Sequence, residues 1–179
     1  MQRRVLLGLL AASVFSGNAH AAGAHDFTFE AIEGGDLPMT RFAGHPVLVV
    51  NTASFCGYTP QYNGLQALYD RYRDRGLVVL GVPSQDFGGQ EYDEAGKVKE
   101  FCEVNFAIDF PMTDITVVRG VGAHPFYAWA RQALGPAKAP SWNFHKYLIG
   151  PDGSAVAAFA TRVRPDAPEV LSAIEALLD

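Results

Sequence analysis

The residues with the sharpest chemistry in this chain are two cysteines, Cys56 and Cys102. Cys56 stands in Ala53-Ser54-Phe55-Cys56-Gly57-Tyr58-Thr59-Pro60, between an apolar run and a helix start. Backbone N–H groups and the positive end of a helix dipole at such a place stabilise an anion and lower a thiol pKa below its free value of about 8.5. The product is a nucleophilic thiolate, and the small neighbours Ala53, Ser54 and Gly57 leave it accessible to a small substrate. An inert buried thiol is common for free cysteine, but a polar loop is a poor place for one. Cys102, in Glu100-Phe101-Cys102-Glu103, shares one helical face with Val98, Phe101, Asn105 and Phe106, which fits either a core thiol or a second redox centre. Trp142 and Asn143, in a short segment after Pro140, offer N–H donors suited to an anion; a lone Trp is usually core, and Asn143 beside it gives the pair weight. His25, His45, His124 and His145 are scattered without paired ligand spacing, so no metal is expected. Gly88-Gly89 lacks the lysine and the strand-to-helix setting of a phosphate loop, and no cofactor is expected.

The elements that must hold these groups alternate between extended and helical. Phe27-Thr28-Phe29 and Leu37-Pro38-Met39, joined through Gly34-Gly35-Asp36, predict a peripheral hairpin. Val47 to Val50 is a continuous apolar run rich in β-branched residues, as in a strand buried on both faces, and Leu77 to Val82 reads as a second buried strand. Between them Thr59 as N-cap and Pro60 at the first helical position open a helix carrying Tyr62, Leu65, Tyr69 and Tyr72, and Gly76 stops it. That strand, helix, strand unit has the length of a right-handed parallel crossover. Residues 83–96 are polar and glycine-bearing, a functional loop ahead of the Cys102 helix. A further helix spans Pro125 to Ala133 with Phe126, Trp129, Ala130 and Ala133 inward. Tyr147-Leu148-Ile149, the turn Gly150-Pro151-Asp152-Gly153 and Ala155 to Phe159 read as a hairpin. A last helix, with Asp166 as N-cap and Glu169 in a capping box, turns Val170, Ile174, Leu177 and Leu178 inward.

The 179 residues are 49% hydrophobic and 18% charged, with 14 Lys+Arg against 19 Asp+Glu. That excludes a disordered chain and leaves nothing basic to neutralise nucleic-acid phosphates. Arg3-Arg4, the apolar Val5 to Phe15 and Ala19-His20-Ala21 read as a signal peptide over residues 1–21, with Ala22-Gly23-Ala24 offering a second cleavage point. The apolar stretch is shorter than the roughly 20 residues of a membrane span, so an exported, periplasmic or secreted protein without stable membrane insertion is expected. Its mature part, residues 22–179, reads as a single domain. Removing two arginines leaves 12 basic against 19 acidic residues, a net charge of −7.

Three blocks are similar to one known family. Asn51-Thr52-Ala53-Ser54-Phe55-Cys56-Gly57-Tyr58-Thr59 followed by Tyr62 and Leu65, then Gly81-Val82-Pro83-Ser84-Gln85-Asp86-Phe87-Gly88-Gly89-Gln90-Glu91, then Trp142-Asn143-Phe144 with Lys146-Tyr147-Leu148 and Gly150, resemble in order and spacing the signatures of the glutathione peroxidases. The resemblance runs from about Phe27 to the C-terminus. It implies a thioredoxin-like α/β fold, a central mixed β-sheet flanked by helices, and reduction of hydrogen peroxide or organic and lipid hydroperoxides to water or alcohols. By position it makes Cys56 the peroxidatic nucleophile, with Trp142 and Asn143 as N–H donors.

The chain departs from the pattern in the second block, where the family's glutamine falls on Asp86 and its preceding asparagine on Gln85. An ionised Asp86 cannot donate and would repel a thiolate, so four readings stay open: a protonated Asp86, an Asp86 that orients another group, a Gln85 that donates instead, or an Asp86 that only shapes the turn. Tyr92 stands where the family usually has proline.

Cys102 falls where thioredoxin-using members carry a resolving cysteine. The matching route has Cys56 oxidised to a sulfenic acid, which Cys102 converts to a disulfide after its helix opens; a thioredoxin-like protein or glutathione then restores the dithiol. Only the eight residues Leu134 to Ser141 separate the helix ending near Ala133 from Trp142. They leave no room for the long insertion of tetrameric members, so a monomer or weak dimer is expected. Two rivals remain: a thiol-disulfide oxidoreductase or redox sensor, weakened because Cys56-Gly57-Tyr58-Thr59 lacks a second cysteine, and a binding module whose cysteines form a permanent disulfide worth about 4 kcal/mol.

Overall fold

A computed structural model describes residues 23–178. The expected segment 1–21 lies outside the described residues. An N-terminal hairpin of β1 (Thr28–Glu30) and β2 (Asp36–Pro38) pairs Thr28 with Pro38. The main sheet takes β3 (Val47–Thr52), β4 (Val78–Pro83), β5 (Lys146–Ile149) and β6 (Ala155–Phe159) in the order β4-β3-β5-β6. β3 and β4 are parallel, with Val47 opposite Val78, while β3–β5 and β5–β6 are antiparallel. The helices are α1 (Gln61–Tyr72), α2 (Ala95–Phe106), α3 (Pro125–Leu134) and α4 (Pro168–Glu175).

Strand periodicity sorts the core into two layers. Leu48 and Val50 of β3 join Leu148 of β5 on one face, packed against Tyr62, Leu65 and Leu68 of α1, Val98 and Cys102 of α2, and Val170 and Ile174 of α4. Val47 and Val49 point the other way with Leu80, Val82, Tyr147 and Ile149, covered by Phe126, Tyr127 and Ala130 of α3 and by Phe29, Leu37 and Met39 of the hairpin region. All six residues of β3 are buried, which explains why its sequence does not alternate. The mixed, two-sided sheet is the expected α/β architecture.

Several local expectations are corrected. α1 begins at Gln61 with Pro60 as the flanking residue, because the Thr59 hydroxyl turns away from the helix. Asn105 is exposed and its amide donates back to the Phe101 carbonyl, so only Val98 and Cys102 of that face are fully buried. Ala133 is exposed, and Tyr127 is buried in its stead. α4 starts at Pro168 after Ala167, since the Asp166 carboxylate is held by the Arg164 guanidinium rather than by helix N–H groups. Leu177 and Leu178 follow the helix end, with Leu178 still buried. The last hairpin forms as expected, its turn closed by Gly153 at φ 82°. Among the described residues no helix is long and apolar enough to cross a membrane.

Candidate active site

Cys56 lies in the loop that leaves the end of β3 and enters α1. The loop is tied across its own neck: the Thr59 hydroxyl accepts from the Cys56 N–H at 3.0 Å and donates to the Ala53 carbonyl at 2.8 Å. The residue that looks like a helix cap therefore caps the cysteine loop. The Tyr58 N–H donates to Cys56 Sγ at 3.4 Å, so a backbone dipole already points at the sulfur. Cys56 is only 7% exposed, yet Phe55 and Tyr58 on either side are 55% and 40% exposed and Trp142 is 39% exposed. A nearly buried sulfur with exposed aromatic neighbours in its own loop suits a small polar head carried on an apolar body.

The Trp142–Asn143 segment arrives from the far end of the chain and is fastened to the end of β3. Asn51 accepts the Phe144 N–H at 2.6 Å through its backbone carbonyl, and its side-chain amide donates to the Trp142 carbonyl at 3.1 Å. Phe144 sits at φ 60°, a left-handed conformation unusual for a bulky residue. It is held there by the Lys146 ammonium, which donates to the Phe144 carbonyl at 2.8 Å, to Gln61 Oε1 at 2.6 Å and to the Val163 carbonyl at 2.6 Å. Burial pushes Lys146 down to about 7, while three acceptors match its three N–H groups. Asn143 is fully buried, and its amide donates to Gln90 Oε1 at 3.1 Å.

The second block lies against the cysteine loop, its Gln90 carbonyl accepting from the Phe55 N–H, but the side chains of Asp86 and Gln85 face elsewhere. Asp86 Oδ2 accepts from the Val118 and Arg119 N–H groups at 2.6 and 3.1 Å, so it orients that loop. Gln85 Nε2 donates to the Tyr92 carbonyl at 3.0 Å and to the Glu91 carbonyl at 3.5 Å. Of the four readings of this pair, the geometry matches an Asp86 that orients another group. Phe87 lies against Trp142 at 5.9 Å, with the Arg119 guanidinium over its ring at 4.7 Å.

Cys102 is 1% exposed on α2, and burial pushes its thiol up to about 12. Both cysteines are free thiols in this structure. Rings bridge the two neighbourhoods: Phe55 to Tyr92 at 4.5 Å, and Tyr92 to Phe101 at 5.9 Å. Three contributors carried no role in the sequence reading: Gln90, Lys146 and the Thr59 hydroxyl as loop tie. A lone lysine opening the apolar strand Lys146-Tyr147-Leu148-Ile149 was the one visible signal among them. Among the described residues no cluster of three or more His, Cys, Asp or Glu could hold a metal ion.

Residues 24–131 match the sequence pattern of the family described as glutathione peroxidase. The chain belongs to the glutathione peroxidase family. It is 40% identical over 162 residues to a hydroperoxy fatty acid reductase of Synechocystis sp., covering 86% of this chain and 95% of that one. It is also 40% identical over 149 residues to a glutathione peroxidase-like peroxiredoxin of Chlamydomonas reinhardtii, covering 81% and 92%. Among solved structures, Trgpx in its apo form superposes with a TM-score of 0.69 at 30% identity, covering 87% of this chain and 97% of that one. A thiol:disulfide interchange protein of the thioredoxin family from Chlorobium tepidum superposes with a TM-score of 0.63 at 13% identity, covering 91% and 100%, a likeness of fold alone. This glutathione peroxidase family member is thus an oxidoreductase of the peroxidase type on a thioredoxin-like fold.

Proposed function

We infer that the protein reduces hydroperoxides through Cys56. The observation that carries this is the Cys56 sulfur receiving a backbone N–H in a loop whose neighbouring residue Phe55 is tied to Gln90, the same residue that accepts from the Asn143 amide. The Cys56 thiolate attacks the terminal peroxide oxygen, the O–O bond breaks, and the departing oxygen takes a proton to leave as water or an alcohol. Cys56 becomes a sulfenic acid. Trp142 and Asn143 donate N–H groups to the charge that moves from sulfur to oxygen. Cys102, released when α2 opens, then attacks the sulfenic sulfur, forms the Cys56–Cys102 disulfide and expels water. A thioredoxin-like dithiol protein restores both thiols, in keeping with relatives named as peroxiredoxins; glutathione is the alternative donor. The open aromatic ring around Cys56 favours organic and fatty acid hydroperoxides, the substrate in the name of the Synechocystis relative.

Residues 1–21 direct export, and residues 22–179 act as one domain, a monomer or weak dimer in the periplasm or medium. The reductant is then a dithiol carrier of that compartment. Peroxide consumption by the mature protein with thioredoxin-like donors and with glutathione, in wild type, Cys56→Ser and Cys102→Ser, is the test. Wild-type turnover by Cys56→Ser sinks the assignment. Full turnover by Cys102→Ser with a dithiol donor removes Cys102 from the cycle.

A further inference from the structure

The resemblance places a side-chain amide at one of two positions, and the side chains at both are occupied otherwise. Gln85 spends its amide N–H groups on the Tyr92 and Glu91 carbonyls, and Asp86 accepts from the Val118 and Arg119 N–H groups. Another amide does reach the site. The Gln90 backbone carbonyl accepts from the Phe55 N–H at 2.9 Å, one residue before the nucleophile. Its side-chain Oε1 accepts from Asn143 Nδ2 at 3.1 Å. A Cβ added at Gly88 would meet Gln90 Cγ at 3.7 Å and Trp142 Cη2 at 3.9 Å, so the Gln90 stem and the indole flank one spot. Gln90 is half-buried, with one side toward solvent.

We propose that Gln90 supplies the amide of this active site, fixing Asn143 through Oε1 and donating through Nε2 to the peroxide oxygen that leaves. The direction of the Asn143 hydrogen bond decides the assignment: once Oε1 is the acceptor, Nε2 has two N–H groups and no acceptor among the described residues. A chain of two amides also polarises itself, which makes the terminal donor stronger. Gln90 moves no proton. It stabilises the negative charge as the S–O bond forms and the O–O bond breaks, before water protonates the leaving oxygen. Gly88 and Gly89, at φ 80° and 60°, turn the loop so that Gln90 comes back to the cysteine.

This rests on Cys56 being the peroxidatic nucleophile, and a comparison of two electrophiles separates the claims. Hydrogen peroxide needs a donor for its leaving oxygen; iodoacetamide, which releases iodide, does not. Both rates are measured for Cys56 on the pH plateau of alkylation, where the thiolate is fully formed. Gln90→Leu is expected to slow peroxide reaction roughly 10- to 100-fold, below the 10² to 10³ of a sole oxyanion donor because Trp142 and Asn143 remain, with alkylation within about threefold of wild type. Gln90→Glu keeps the acceptor for Asn143 and loses the donor, so it shows the same split and decides the matter should Gln90→Leu misfold. An unchanged peroxide rate, or equal falls in both rates, overturns the proposal. A wild type whose Cys56 alkylates but does not react with peroxide overturns the peroxidase reading itself, and is told apart because it needs no variant.

Discussion

On the route proposed through Cys102, the opening of α2 should set the rate of disulfide formation, and two substitutions at that helix and its end should move it in opposite directions. With its thiol pushed from 9.0 up to about 12 by burial, closed Cys102 holds about a thousandfold less thiolate than an exposed cysteine at neutral pH. Attack therefore passes through the open helix. The last turn of α2 ends at Ala107, exposed and at φ 51°, with the Ile108 N–H on the Cys102 carbonyl at 3.3 Å. A left-handed alanine is strained by roughly 1–2 kcal/mol, and glycine removes that strain while adding about 0.7 kcal/mol of unfolded-chain entropy. Ala107→Gly should stabilise the closed helix by about 1 kcal/mol, lower the open population about fivefold and slow disulfide formation by the same factor. Val98 is fully buried one turn before Cys102. Val98→Ala removes about 2 kcal/mol of packing and should speed the step up to about 30-fold. Reduced protein is mixed with one equivalent of peroxide and quenched in acid at intervals, and mass spectrometry counts sulfenic acid, trapped with dimedone, against disulfide. Sulfenic acid should form at the wild-type rate in both variants. If Ala107→Gly raises the melting temperature while disulfide forms at an unchanged rate, or if both variants shift it in one direction, helix opening is not on the path.

Other outcomes follow from the site geometry. Thr59→Val strands the Cys56 N–H and the Ala53 carbonyl, both buried, so a loss of about 2 kcal/mol should appear as a melting point lower by about 4–8 °C, together with a slower peroxide reaction. Asp86→Asn keeps an oxygen for the Val118 and Arg119 N–H groups and should be near neutral in stability, while Asp86→Ala should cost about 1–3 kcal/mol by denaturant titration; a large gain in peroxide rate from Asp86→Asn would instead place the carboxylate against the thiolate. His145, held down at about 4 chiefly by burial and then by the Lys146 charge, is a base with a depressed folded pKa. The unfolded chain binds its proton first, so its contribution to stability is full above pH 6.5 and lost as pH falls toward 4, by at most about 3 kcal/mol. Denaturant titrations between pH 7 and 4 should show that slope shrink in His145→Phe.

What the sequence revealed and what it hid divides along a physical line. The buried strands were legible as unbroken runs without polar residues, rich in valine, and the crossover helix from its apolar spacing and glycine stop, because each depends on its own residues. The helix boundaries slipped where a side chain had a rival partner: Thr59 serves Cys56 and Ala53, and Asp166 serves Arg164. Cys56, Trp142 and Asn143 were singled out as residue types, and the fold joins Asn143 to the Cys56 loop through Gln90. The behaviour of Asp86 and Gln85 was not legible, because it is decided by loops that come near only in the folded chain, at Val118–Arg119 and Glu91–Tyr92. Lys146 looks out of place in a strand until its three acceptors, drawn from three separate segments, are assembled.

The bond from Asn51 to the Trp142 carbonyl joins residues 91 positions apart, and it gives the site an order of assembly. The groups that hold Cys56, the Tyr58 N–H on its sulfur and the Thr59 hydroxyl on its backbone N–H, are made within the same turn of chain and are in place as soon as β3 and α1 form. The shielding segment is synthesised some 90 residues later, and the Lys146 rivet needs Val163 as well. During synthesis, and again during any refolding, the chain carries a thiol near its first strands before the Trp142–Asn143 segment, proposed to serve it, has arrived. In that interval a stray oxidant or a foreign disulfide meets an unguarded sulfur, so maturation under reducing conditions should yield more active protein than maturation in peroxide.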